Sequence, residues 1–65
     1  MQAYTEEIEN LMCTHYLNLS EKDKRHYAAI EAAKLGRGGI TYIAELFECD
    51  RQTITTGLEE LKKTI

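Results

Sequence analysis

Proline is missing from this chain of 65 residues, so only glycine and the turn-forming residues punctuate it. Long apolar runs are missing too: none approaches the ~20 residues of a membrane span. The N-terminal stretch MQAYTEE is acidic where a secretory signal is basic. Both absences point to a cytoplasmic protein away from membranes. Cysteine is scarce, with Cys13 and Cys49 alone. A single disulfide is the open alternative, but a secreted mini-protein of this length usually carries more than one. Neither cysteine has a histidine at ligand-like spacing. They read as reduced thiols packed as small apolar groups, with no metal and no cofactor expected. Alternating strand patterns, hairpin dipeptides and repeats are all lacking.

A chain this short buries only about 60% of the surface its unfolded form exposes. One domain with one core is therefore the ceiling, which excludes a two-domain enzyme and disfavours a buried catalytic cleft. Disorder is excluded in turn by a 43% apolar content and a net charge of only −3.

What is present is helical periodicity. Ile8, Leu11, Met12, Tyr16 and Leu19 recur at helical spacing. Thr5 is a candidate cap, and Glu6, Glu7 and Glu9 suit the positive end of the dipole. The spacing predicts a first helix over about 5–17, in an acidic N-terminal segment 1–19. Ser20 and Asp23 then open a second helix over about 21–35. Gly36 is its natural stop. Glu31 falls within the apolar arc of Tyr27, Ile30 and Leu35, so it must pair or stay at the rim; a partner in the third or fourth helix is expected, Arg51 being the first candidate. ITYIAELF, residues 40–47, is a third helix. Asp50 caps a fourth that runs to about Leu61 with Ile54, Leu58 and Leu61 inward. The chain reads as all-α, a three- to four-helix bundle whose residues 20–65 contain a homeodomain-like helix-turn-helix.

The acidic balance at first argues against nucleic acid, but its distribution is uneven. Residues 1–20 carry −3 with no basic residue, 21–39 carry +2, and 40–65 carry −2. In residues 40–59, Ala44 is small where two helices would cross. Ile43, Phe47, Cys49 and Ile54 are apolar where the angle between them closes. Such a unit presents the start of its second helix to base edges in the major groove. Arg51, Gln52, Thr55 and Thr56 are the candidate base contacts, because Arg pairs with guanine, Gln with adenine, and Thr with a hydroxyl acceptor or a thymine methyl. Lys22, Lys24, Arg25, Arg37, Thr53, Lys62 and Lys63 are the candidate backbone contacts. Glu48 stands in the turn where glycine is usual. The run Thr53-Ile54-Thr55-Thr56-Gly57 has low helix propensity and is expected to fray in free protein.

From Leu19 to about Leu61 the chain resembles the N-terminal region of a subgroup of bacterial insertion-sequence transposases of the DDE class. The matching pieces are LSEKD, YAAIEA, LGRGGI, YIAEL, and the last helix with TI and GLEEL. The resemblance implies double-stranded DNA binding at the ends of a mobile element, by a domain that precedes a catalytic domain in full-length members. Arg51 and Thr53 keep the family pattern. Two features depart from it: Glu48-Cys49-Asp50 replaces a turn of the Gly-Cys-Ser type, and Thr55 and Thr56 stand in a helix that is usually rich in Arg and Lys. Catalysis does not carry over, since a two-metal site needs a sheet-containing domain, and His15 and His26 lack a nucleophile and a third partner. No small-molecule substrate is expected.

Two other readings remain open. One is a small transcriptional regulator, a homodimer through the acidic first helix. The other is a protein-interaction module in which Tyr4, Ile8, Met12 and Tyr16 bind a partner helix.

Overall fold

The computed structural model describes residues 2–63. These residues form four helices: α1 (Glu6–Leu17), α2 (Glu21–Leu35), α3 (Gly39–Phe47) and α4 (Arg51–Lys63). Two of the three expected N-cap residues make their side-chain bonds. Thr5 Oγ1 accepts from the Ile8 amide at 3.3 Å, and Ser20 Oγ accepts from the Asp23 amide at 3.2 Å. Each satisfies an amide that the first helical turn leaves without a partner. Gly36 ends α2 at φ +70°.

The centre of the fold is the alanine face of α2. Ala28, Ala29 and Ala32 are almost fully buried. Having only a methyl each, they let α3 and α4 come close enough for backbone contact. A Cβ added at Gly57 would lie 2.5 Å from the Arg25 carbonyl oxygen and 3.1 Å from Ala29 Cβ. A Cβ at Gly39 would collide with the Ala32 carbonyl oxygen. Ile43 from α3 and Ile54 from α4 fill the space between the helices at 0% exposure. Burial of Ile54 and Gly57 opposes the fraying that propensity alone suggests for α4.

The helix α1 packs on α2 and α3 through aromatic and polar contacts. Tyr16 stacks on Phe47 with centroids 4.2 Å apart, and Tyr27 meets the same ring at 5.7 Å. Cys13 Sγ donates to the Leu46 carbonyl at 3.6 Å, and the Tyr42 hydroxyl donates to Glu9. Both cysteines are free and half-buried. Burial pushes both thiols up, as do Glu9 and Glu48 at Cys13 and Asp50 at Cys49.

Two expectations are corrected. Glu31 is buried, but its partners are Tyr4 and Lys34 rather than Arg51. The Tyr4 hydroxyl donates to Oε1 at 3.3 Å, and Lys34 Nζ donates to Oε2 at 3.3 Å. The reason is chain entry: residues before α1 cross α2 at that level, whereas Arg51 is exposed at the start of α4. Nor do Tyr4, Ile8, Met12 and Tyr16 form a free partner-binding stripe. Met12 and Tyr16 lie in the chain's own core, and Tyr4 is held on Glu31.

Among the described residues no helix is long and apolar enough to cross a membrane. Glu48 has φ +54° and ψ +46° and is, among the described residues, the one non-glycine residue with positive φ. That conformation costs a side-chain-bearing residue roughly 1–2 kcal/mol. Glu48→Gly is therefore expected to raise unfolding free energy by about 0.5–1 kcal/mol, after the added flexibility of the unfolded chain is subtracted. Gly57→Ala is expected to destabilise by about 1–3 kcal/mol, because the collision with α2 outweighs the gain in helix propensity. Urea titrations followed by circular dichroism measure both.

Candidate nucleic-acid interface

The last two helices meet through a three-residue connection, Glu48 to Asp50. Glu48 closes α3: its amide reaches the Glu45 carbonyl at 3.4 Å while the Cys49 amide donates to the Ala44 carbonyl at 3.0 Å. Asp50 then opens α4, its carbonyl accepting from the Thr53 amide at 3.0 Å. Because Ile54 and Gly57 face inward, Arg51, Gln52 and Thr55 face outward and are exposed. Thr56 and Thr53 are half-buried at the edges of that face.

Hydrogen bonds within α4 set what this face offers. Thr55 Oγ1 donates to the Arg51 carbonyl at 3.2 Å, one turn back. Its hydroxyl is thereby turned into the helix, and the γ-methyl is left as the outer surface. Gln52 Nε2 donates to Thr56 Oγ1 at 3.4 Å. Arg51 lines an open depression of about 420 Å³ together with Thr41, Ala44, Glu45, Cys49 and Asp50. Thr41 and Glu45 are absent from the sequence-based site. Their one signal is their i, i+4 spacing on the exposed side of α3, the helix that crosses the DNA backbone in such motifs.

The candidate backbone contacts divide. Lys22, Arg37, Lys62 and Lys63 are exposed. Lys24 is half-buried, with Nζ 5.4 Å from the Tyr16 ring centroid and 3.9 Å from Glu21. Arg25 is committed elsewhere: its Nε and Nη2 donate to the two oxygens of Glu60 at 2.9 and 3.3 Å. His26 Nε2 lies 3.0 Å from the same carboxylate. Residue 25 abuts residues 57 and 60, so α4 crosses α2 near Arg25. Lys62 and Lys63 lie roughly 16 Å along the helix from Arg51. Base-facing and phosphate-facing groups occupy opposite ends of α4. Among the described residues, no three His, Cys, Asp or Glu side chains gather at a spacing that could hold a metal ion.

The Arg25 guanidinium, with His26 beside it, holds the Glu60 carboxyl below the usual carboxylate range. A carboxyl lowered in the folded state contributes stability that is full above its unfolded pKa and lost as pH falls through the folded one. Acidifying from neutral pH is expected to weaken wild type more steeply than Glu60→Gln below the ordinary glutamate range. Thermal melts of the two proteins across that range measure the difference. No family model, curated protein or solved structure matches this chain in comparisons of sequence and fold.

Proposed function

We propose that this chain is a double-stranded DNA-reading module, with α4 as the helix that enters the major groove. One observation carries the reading: the outward face of α4 presents Arg51, Gln52 and the Thr55 methyl, while Ile54 and Gly57 fix the opposite face against the core. Ends of a mobile element are the targets this reading favours, in keeping with the resemblance to insertion-sequence transposases. A short operator read by a transcriptional regulator is the alternative target, and half-site spacing separates the two. The chain itself is assigned no chemical step.

The electrostatics favour weak, salt-sensitive binding. Glu45 and Asp50 flank Arg51 on the approach to the groove, and Arg25 is withdrawn from phosphate by Glu60. Four of the candidate backbone cations are exposed: Lys22 and Arg37, with Lys62 and Lys63 at the C-terminal end of the reading helix. That end of a homeodomain-type recognition helix contacts the backbone.

Titration against duplex DNA at low salt is expected to show affinity that falls with log salt at a slope of roughly −3 to −4. Absence of salt-dependent binding would remove the DNA reading. On a site selected from random duplexes, Arg51→Ala is expected to erase preference at one base pair, and Lys22→Ala to weaken all sequences alike. Replacing the contacted thymine by deoxyuridine removes one methyl and is expected to cost about fourfold in affinity. That loss persists in Thr55→Val and disappears in Thr55→Ser, because only the former keeps a methyl facing out.

A further inference from the structure

We propose that the seam between α1 and α2 is a homodimer contact, made with a second copy of this chain about a twofold axis running along the seam. The inference is independent of the DNA reading. Among the described residues four large apolar side chains are exposed: Ile8 at 41%, Leu11 at 62%, Leu17 at 71% and Ile30 at 48%. Three of them share one seam. Ile8, Leu11 and His15 fall on one flank of α1 at i, i+3 and i+7. His15 meets Tyr27 edge-on with centroids 5.1 Å apart, which turns that flank toward α2. Ile30 follows Tyr27 by one turn. Tyr4 reaches Glu31 while Tyr16 reaches Lys24, so α1 runs antiparallel to α2, and Ile8 and Leu11 lie at the Ile30 end of the seam.

Charge selects the occupant and its orientation. α1 contains Glu6, Glu7 and Glu9 and no Lys or Arg, so pairing α1 with its own copy sets acid against acid. The flank of α2 supplies the opposite sign. Lys34 sits one turn beyond Ile30, with a side chain 58% exposed beside its bond to Glu31, while Glu7 sits one turn before Leu11 on α1. Rotation about an axis along the seam keeps the two ends of the molecule in place and exchanges left for right. It lays α1 of each copy over α2 of the other. Ile8 and Leu11 then cover the partner's Ile30, Glu7 faces the partner's Lys34, and each contact is made twice, as an isologous interface requires. The helix α4 packs on the Arg25 and Ala29 side of α2, away from Ile30, so the pairing leaves its outward face open.

Sedimentation velocity of the full chain over a concentration series tests this. The wild type is expected to pass from monomer to dimer with a midpoint of roughly 10–100 µM, the weak end for a small contact. Leu11→Glu replaces an outward side chain, keeps the helical circular dichroism, and is expected to weaken the dimer at least tenfold. Glu7→Lys is expected to weaken it, and Glu7→Lys with Lys34→Glu to recover it. A wild type that stays monomeric to 1 mM overturns the proposal, as does a dimer indifferent to Leu11→Glu. A folded double variant that fails to recover overturns the Glu7–Lys34 pairing; should the double variant lose helix through Glu31, Leu11→Glu decides.

Discussion

Everything in this fold depends on how closely two helices approach a third. The α2 face offers methyl groups at Ala28, Ala29 and Ala32, and the helices that pack there place glycine at the contact, Gly39 on α3 and Gly57 on α4. A small domain has little core to spare. Bringing backbones together lets Ile43 and Ile54 fill what space remains without voids. The angle between α3 and α4 follows, and with it the direction in which Arg51, Gln52 and Thr55 point. Larger residues on α2 would separate the helices and turn the outward face of α4 away.

The same crossing fixes the electrostatics. Because α4 crosses α2 at Gly57 and Arg25, Glu60 reaches Arg25 and His26, and three charged or ionisable groups are consumed in holding the helix down. The exposed cations left for a polyanion are few, and the carboxylates of Glu45 and Asp50 stand beside Arg51. Such a surface suits a module that reads bases with modest affinity and draws the rest of its binding energy from a second module. Pairing across the α1–α2 seam is one way to supply that.

Local signals were legible wherever the relevant interaction spans one turn. Thr5 and Ser20 cap the helices expected of them, and Gly36 stops α2, because caps and stops depend on neighbours three or four residues away. Inward positions such as Ile43, Phe47 and Ile54 were legible from periodicity. The outward face of α4 followed by subtraction. Glu31 was correctly singled out as a buried carboxylate, but its partner was misassigned, since pairing across 27 residues leaves no trace in spacing. Arg25 looked like any solvated cation for the same reason: its partner lies 35 residues on.

The amino-acid sequence by itself determined an all-helical chain of three to four helices, roughly where each lies, and which side of each is apolar. All of these are set by backbone hydrogen bonding and side-chain period within single turns. Only the tertiary structure decided which charges are spent, and that α1 keeps Ile8 and Leu11 outside while committing Met12 and Tyr16 to the core. Those outcomes depend on distances between residues far apart in the chain, which local pattern does not carry.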